Sequence, residues 1–203
     1  FHKYGFDGGI SSCGGYIYAG EDVIYDCPFT EEQKNKAIDL LSAEGVILSV
    51  ESKDDSYNNE IDMQLVRKNH YANDLLYNMI KAVWVELGPR PMSEYDGGPF
   101  YKIVFVCTDI DQISAAREEF SDELKFIVHD FSEPDCIFGE IISQRADKGS
   151  AVRRAAESLG FDMSDTIGFG DSKLDIEMTE AVGVSVCMEN GSPFLKEQSD
   201  LIC

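Results

Sequence analysis

Residues 167–178 read IGFGDSKLDIEM. The apolar start of this segment predicts a β-strand that ends at Gly170, and Asp171 follows at its carboxyl end, where a helix is predicted to begin. Asp175 comes four residues later, so both carboxylates can share one helix face, where they repel each other unless a cation offsets their charge. Mg²⁺ is such a cation, because it prefers oxygen ligands. Alternatively, acidic residues simply favour the first helical turn through the helix dipole.

Strands and helices alternate on both sides of this segment. Upstream, residues 136–142 predict a strand, and a helix from Lys148 to Leu159 ends at Gly160. Downstream, we predict a strand, a short helix and a last strand at residues 183–188, 193–198 and 200–203. Such alternation through short loops is typical of a doubly wound parallel sheet, in which ligands bind at the carboxyl ends of the strands. The sequence therefore predicts an α/β fold.

Lys148 stands at the start of its predicted helix, directly after a strand. A cation at this end opposes the helix dipole, so a half-buried lysine here needs a negative partner such as a phosphate group or an acid cluster. The alternative is a solvated surface lysine. Helix amides, a lysine and two carboxylates together form a set of groups suited to phosphoryl transfer.

The first 135 residues are organised less regularly. Thr30 and Gln33 form a capping-box pattern at the start of one helix, and apolar residues at helical spacing mark a second helix between Leu75 and Leu87. Short strands are predicted at residues 16–18, 23–25, 46–50, 101–107 and 124–128. Residues 51–60 and 88–99 predict loops or edges.

Charge and cysteine content restrict the partners and the compartment. The 203 residues carry a net charge of −21, which repels phosphodiester backbones and anionic lipids, so we expect neither nucleic acid nor a membrane as a partner. No apolar run approaches the roughly 20 residues of a spanning helix, and no signal-peptide pattern opens the chain. The six cysteines lack C-x-x-C spacing, which argues against zinc and favours a reduced, cytoplasmic protein.

The ordered motifs resemble those of the haloacid dehalogenase-like hydrolases, specifically the Cof-type phosphatases of subclass IIB. The residues that carry the resemblance are Lys148 at a helix start, GDSKLDIEM at 170–178, the segment 182–203, and GFDGGISSCGGYIY at 5–18. The resemblance covers essentially the whole chain. It implies a partial Rossmann-like parallel-sheet core with an inserted α/β cap: residues 1–26 and 137–203 belong to the core and residues 27–136 to the cap.

The resemblance also implies roles for individual residues. Lys148 is the catalytic lysine that steadies the nucleophilic carboxylate and the substrate phosphate. Asp171 is a direct Mg²⁺ ligand, and Asp175 contributes to the metal site from further out or through a water. Cys13 and Gly14 align with an Asn-Gly pair of the family, which implies substrate contacts at this position.

The chain departs from the family pattern in several places. Leu174 replaces an asparagine near the metal, and Cys13 replaces the asparagine of the Asn-Gly pair. The first motif, an apolar strand ending in D-x-D-G-T, and the second motif, a Ser or Thr, are both missing, so we expect them upstream in a longer protein. Asp109 and Asp111 follow an apolar strand, but Gln112 and the residue after it replace Gly-Thr. We interpret that segment as a capped helix start.

These observations leave several functions open. The leading hypothesis is a Mg²⁺-dependent phosphatase of small phosphorylated metabolites that acts through an aspartyl-phosphate, with the nucleophile upstream of this chain. A sugar phosphomutase of the same superfamily would share all the retained residues. A hypothesis from another class is a non-catalytic fragment, or a protein that binds a phosphorylated ligand, a metal or a protein partner. His2, His70 and His129 receive no role, and the oligomeric state stays open.

Overall fold

The computed structural model describes residues 5–63, 66 and 74–203. The chain divides into two compact units. We call the unit formed by Phe1–Cys27 and Arg145–Cys203 the flanking unit, and the unit formed by Pro28–Gln144 the inserted unit. Within the described residues, no helix has both the length and the apolarity needed to cross a membrane.

The flanking unit begins with a small antiparallel sheet. Its strands, in spatial order, are β1 (Gly8–Ser11), β2 (Tyr16–Ala19) and β3 (Asp22–Asp26). Gly20 lies between β2 and β3 with a φ of +58°, a backbone conformation that glycine adopts without a steric penalty. The strands predicted at residues 16–18 and 23–25 are therefore confirmed, and they form a hairpin that turns at Gly20.

The inserted unit is a six-stranded sheet with helices on both faces. Its elements are α1 (Glu31–Ala43), β4 (Ile47–Glu51), β5 (Ser56–Asn58), α2 (Asp74–Lys81), β6 (Arg90–Pro91), β7 (Lys102–Cys107), α3 (Ser114–Glu119), β8 (Leu124–Val128) and β9 (Ile137–Ser143). The strand order is β6-β5-β4-β7-β9-β8, and only β5 and β6 pair in parallel. A π-helical turn, Ala82–Glu86, continues α2.

Successive side chains of β7 point alternately into the two apolar cores of the inserted unit. Ile103 and Phe105 pack in the cluster that contains residues of α1 and α3, whereas Val104 and Val106 pack with residues of α2. Successive side chains of a strand point to opposite faces, so a central strand covered by helices on both sides is apolar throughout. The uninterrupted apolar run of β7 in the sequence reflects this double burial.

The flanking unit resumes with strictly alternating elements. They are α4 (Lys148–Leu159), β10 (Ile167–Gly170), α5 (Ile176–Thr179), β11 (Val184–Cys187), α6 (Pro193–Gln198) and β12 (Leu201–Ile202). The three strands form a parallel sheet in the order β10-β11-β12. Gly160 ends α4 in the left-handed conformation. The predicted α/β class, a partial parallel-sheet core with an inserted α/β region, is confirmed.

Two predictions about strands differ from the structure. The strand predicted at 136–142, placed at the start of the second core segment, pairs as β9 with β7 and β8, so this strand belongs to the inserted unit and the flanking unit resumes at Arg145. The apolar run of this strand indicates that both of its faces are buried, but it does not indicate which sheet the strand joins. The stretch 51–60, predicted as a loop or an edge, contains β5 between β4 and β6. Only three residues pair there, too few for a clear pattern.

Capping predictions hold in detail. The Thr30 hydroxyl accepts a hydrogen bond from the Gln33 N–H, and the Gln33 side chain accepts one from the Thr30 N–H. Asp109 caps the 3-10 turn Ile110–Ile113 that leads into α3. The segment after β7 is therefore a capped helix start, as the absence of Gly-Thr predicts.

Candidate functional site

Asp171 occupies the carboxyl end of β10 with its backbone fixed and its side chain exposed. Its N–H donates to Asp175 Oδ2 at 3.0 Å, and its carbonyl accepts from the Ser192 N–H at 2.8 Å. No residue in the described part of the chain forms a hydrogen bond or an ion pair with its carboxylate. Asp171 therefore presents both carboxylate oxygens to solvent on a rigid backbone.

Asp175 is buried and uses both of its carboxylate oxygens. Oδ2 accepts from the N–H groups of Asp171 and Ser172 at 3.0 and 3.1 Å and from the Ser172 hydroxyl at 3.2 Å. Oδ1 accepts from Lys148 Nζ at 2.5 Å. Burial by itself raises the pKa of Asp175, but Lys148 and the two N–H groups outweigh it, so the pKa lies below its ordinary value. Asp175 is therefore held as a carboxylate.

The helix predicted to begin at Asp171 is interrupted by this arrangement. A 3-10 turn, Lys173–Asp175, comes first, and the single-turn α5 follows. Ser172 and Asp175 form a capping box around that turn, so Asp175 folds back toward Ser172 instead of sharing an outer helix face with Asp171. The signal was present in the sequence as Ser-x-x-Asp, a variant of the capping-box pattern with Asp in place of Glu.

Two glycines make the close packing of this turn feasible. A Cβ on Gly170 would lie 2.7 Å from Asp175 Cβ, and a Cβ on Gly149 would lie 2.2 Å from the Glu177 carbonyl oxygen. Both distances are far shorter than a van der Waals contact. Gly149 thus lets α4 approach α5, and this approach brings Lys148 within reach of Asp175.

Lys148 is the first residue of α4, which Asp147 caps by accepting from the Ser150 N–H at 2.7 Å. Asp175 is the negative partner that a cation at this helix end requires. The Lys148 side chain is still 34% exposed. An ammonium group has three N–H donors, so Lys148 can donate to a ligand while it stays bonded to Asp175.

Cys13 and Gly14 lie in a turn that packs against the start of α4. Ser12, Cys13 and Gly14 have φ values of +49°, +56° and +101°, and a Cβ on Gly14 would lie 2.5 Å from the Asp147 carbonyl oxygen. A side chain at position 14 would therefore clash with the Asp147 carbonyl group, and the positive φ also favours glycine there. Asparagine tolerates positive φ better than most residues, which gives a backbone reason for the asparagine that the family carries in place of Cys13.

The loop after β11 also supports Asp171, which the sequence reasoning missed. The Met188 N–H donates to the Gly170 carbonyl at 2.9 Å, and the Ser192 N–H holds the Asp171 carbonyl. A Cβ on Gly191 would lie 3.2 Å from Asp171 Cα. Only the Gly-Ser pair of this loop hinted at such close contact.

The structure thus brings Lys148, Asp171 and Asp175 together and places Cys13 and Gly14 beside the first turn of α4. His129 lies elsewhere, in the inserted unit, and His2 and His70 are outside the described residues. No group of three or more His, Cys, Asp or Glu side chains suited to a metal occurs in the part of the chain that the structure describes. The uncommitted carboxylate of Asp171 fits one ligand position of Mg²⁺, which commonly binds one or two carboxylates together with waters and substrate oxygens.

Known proteins resemble this chain both in sequence and in structure. The sequence model of the haloacid dehalogenase-like hydrolases matches residues 1–203. The 5-amino-6-(5-phospho-D-ribitylamino)uracil phosphatase YwtE of Bacillus subtilis is 28% identical over 148 residues, which cover 70% of this chain and 51% of that protein. The chain therefore spans about half the length of this relative.

Solved structures share the fold. A hypothetical protein of Geobacillus kaustophilus matches with a TM-score of 0.75 and 20% identity over 99% of this chain and 72% of its own. A haloacid dehalogenase-like hydrolase of B. subtilis matches with a TM-score of 0.72 and 22% identity over 100% of this chain and 76% of its own. At such identities, the likeness shows the fold alone.

Proposed function

The chain belongs to the haloacid dehalogenase-like hydrolases, and from this premise we propose that it is part of a Mg²⁺-dependent phosphatase of small phosphorylated metabolites. The observation that carries the proposal is that the carboxylates of Asp171 and Asp175 have different surroundings. Asp175 is fully engaged with Lys148 and the turn, whereas the carboxylate of Asp171, at the carboxyl end of β10, bonds to none of the described residues. This is the end at which parallel α/β sheets bind their ligands.

Asp171 would hold Mg²⁺ directly, and Asp175 would act without touching the metal. Asp175 fixes the backbone of Asp171 through one oxygen and the ammonium of Lys148 through the other. When bound, Mg²⁺ would neutralise the negative charge on the phosphoryl group during its transfer. The two aspartates thus have different roles in spite of their four-residue spacing.

Lys148 would bind the substrate phosphate and the nucleophilic carboxylate with the donors that Asp175 leaves free. Because Asp175 holds the ammonium in place before substrate arrives, little reorganisation is needed when the phosphate binds. Cys13 and Gly14 would contact the substrate from the turn that packs on the start of α4.

The nucleophile of the proposed reaction lies outside these 203 residues. An aspartate there would attack phosphorus as the ester bond to the alcohol breaks, and the alcohol would leave with a proton from a neighbouring acid. Water would then hydrolyse the aspartyl-phosphate and release inorganic phosphate. We propose that the inserted unit is the cap that selects the leaving group.

Two further features support a small phosphorylated substrate and a reducing compartment. The curated relatives include YwtE and the HMP-PP phosphatase of an Enterobacter species, which is 36% identical over 95 residues, covering 46% of this chain and 34% of that protein. Both names specify phosphatases of small metabolites. None of the six cysteines, all of which lie in the described part of the chain, forms a disulfide, and four of them are buried, which suits the cytoplasm.

The test is release of inorganic phosphate from a panel of phosphate monoesters by the full-length protein, with and without Mg²⁺. We expect turnover that requires Mg²⁺ and falls by orders of magnitude in Lys148→Met. Glu180→Gln is the matched control, because Glu180 is exposed and its side chain has no hydrogen bond among the described residues. Phosphate transferred to a sugar hydroxyl instead of water would indicate a phosphomutase, and binding without turnover would indicate a non-catalytic protein.

A further inference from the structure

The turn that follows β11 is bonded at both of its ends to the backbone around Asp171. The Met188 N–H donates to the Gly170 carbonyl at 2.9 Å, and the Ser192 N–H donates to the Asp171 carbonyl at 2.8 Å. The Gly191 N–H donates to the Met188 carbonyl at 2.8 Å and closes the four residues as a β-turn. The backbone therefore fixes the position of this turn relative to Asp171.

Asn190 is the third residue of the turn, and its side chain is exposed. No described residue forms a hydrogen bond with that side chain. The next residue, Gly191, packs so closely that a Cβ on it would lie 3.2 Å from the Asp171 Cα. Asn190 therefore lies at the same carboxyl edge of the sheet as Asp171, and its amide is not bonded to any described group.

The fold itself does not account for an asparagine at this position. Asparagine is common in turns because it tolerates a positive φ and because its side chain can bond to the nearby backbone. Among the described residues, the non-glycine residues with a positive φ are Ser12 and Cys13, so the first reason does not apply to Asn190. The second does not apply because its side chain bonds to no described group. The amide is therefore available to a ligand at the edge where parallel sheets bind ligands.

The charged groups at this edge indicate which ligand group the amide would bind. Lys148 neutralises Asp175, but Asp171 and the exposed Glu189 add two further carboxylates. A phosphate that binds beside them needs hydrogen-bond donors for its oxygens, and Lys148 supplies such donors from α4. The amide nitrogen of Asn190 supplies two more without changing the charge of the site.

We propose that Asn190 is a substrate-binding residue whose amide N–H group donates to an oxygen of the substrate phosphate. This role rests on the proposed function, because the Mg²⁺ that Asp171 would hold places the phosphate at this edge. Asn190 and Lys148 would then bind the same phosphate from two separate elements. A carboxylate of the same shape at position 190 would lose both donors and repel the phosphate.

Calorimetry of inorganic phosphate binding to the full-length protein in the presence of Mg²⁺ tests this role without turnover. We expect Asn190→Ala to weaken phosphate binding by about 10- to 100-fold, as the loss of a hydrogen bond to a charged group would. Asn190→Asp should weaken it further. Glu189→Gln in the same turn and Gln198→Glu, which adds a negative charge elsewhere on the flanking unit, are the controls. Both side chains are exposed, and we expect changes of less than about 3-fold.

The affinity for Mg²⁺ without phosphate distinguishes this role from metal binding. We expect Asn190→Ala to bind Mg²⁺ as tightly as the unmodified protein. A lower Mg²⁺ affinity in Asn190→Ala would make the amide carbonyl a metal ligand and overturn the proposal. Unchanged phosphate binding in Asn190→Ala would also overturn it. So would a large fall in the melting temperature of this variant, because the amide would then stabilise the turn.

The role of Asn190 and the proposed function can fail separately. Mg²⁺-dependent turnover together with unchanged phosphate binding in Asn190→Ala would retain the phosphatase and refute the role of Asn190. Phosphate binding that requires Asn190 in a full-length protein without turnover would retain this site and refute the reaction.

Discussion

Lys148 Nζ lies 2.5 Å from Asp175 Oδ1, although the two residues are 27 positions apart in the chain. The contact joins the first turn of α4 to the turn that follows β10. The contact neutralises a buried carboxylate. It also gives Lys148 an anionic partner, which a cation at a helix start needs because the helix dipole disfavours positive charge there. The structure therefore makes Asp175 the residue that positions both Lys148 and the backbone of Asp171.

Asp175→Asn should destabilise the flanking unit. The amide loses the charge that Lys148 pairs with and weakens the hydrogen bonds from Asp171 and Ser172, and hydrogen bonds to buried charged groups contribute about 1.5–3 kcal/mol each. We expect the free energy of unfolding of the full-length protein to fall by about 2–3 kcal/mol in urea denaturation. Glu180→Gln, on the nearby surface, should change it little, and equal effects of the two variants would show that the buried network contributes nothing.

Gly149→Ala should reverse the usual sign of a glycine-to-alanine change in a helix. Alanine normally stabilises a helix by up to about 1 kcal/mol relative to glycine, but here its Cβ would lie 2.2 Å from the Glu177 carbonyl oxygen. We therefore expect a lower melting temperature and weaker Mg²⁺-dependent turnover, because α4 must move away from α5. Ser150→Ala is the control in the same turn, and an unchanged or raised melting temperature for Gly149→Ala would refute the close packing.

Cys13→Asn should stabilise the protein, and Cys13→Val should destabilise it. Cys13 has a φ of +56°, which costs most non-glycine residues about 1–2 kcal/mol and costs a β-branched residue more. Thermal unfolding of the two variants measures the difference directly. A valine variant as stable as the asparagine variant would mean that this turn is not left-handed in solution.

Glu140 should make the inserted unit sensitive to acid. Burial by itself raises the pKa of Glu140, but His129 and Lys102 outweigh it and lower the pKa to about 2 from an ordinary 4.5. Lys102 Nζ lies 3.3 Å from Glu140 Oε1 and 3.0 Å from Glu51 Oε2. The carboxylate is therefore preferred in the folded state.

Because the folded pKa is depressed, the stabilisation is complete above about pH 4.5 and is lost as the pH falls toward 2. The shift corresponds to about 3 kcal/mol at 1.36 kcal/mol per pKa unit. Urea denaturation of the full-length protein between pH 2 and 6 should show this loss, and Glu140→Gln should reduce the slope. Glu118→Gln, an exposed change, is the control, and identical slopes for the two variants would contradict the assignment.

The elements with a local signal were predictable from the sequence. The side chains of Thr30 and Gln33 form a capping box that predicts the start of α1. The alternation of strands and helices after Lys148 predicts a parallel sheet. The role of Asp175 was less accessible, because a four-residue spacing fits either a shared helix face or a turn that folds back. The Ser172 hydroxyl and the approach of α4 decide between them, and the second of these depends on Gly149 and residues distant in sequence.

Pairing between strands was the part least available from sequence. The apolar run of β9 indicates that both faces of the strand are buried. The residues of β9 do not indicate that its neighbours in the sheet are β7 and β8. The support that the loop around Gly191 gives to Asp171 is non-local for the same reason. Only the folded chain brings that loop to the end of β10.

The most direct test of the account is a Mg²⁺ titration of phosphate-ester hydrolysis by the full-length protein and its Asp171→Asn variant. The asparagine keeps the backbone hydrogen bonds of residue 171 and removes only its free carboxylate charge. The account predicts saturable Mg²⁺ dependence in the unmodified protein, and in the variant a loss of turnover together with a loss of Mg²⁺ binding by calorimetry. Near-normal rates and an unchanged Mg²⁺ dependence in the variant would contradict the assignment of Asp171 as the metal ligand.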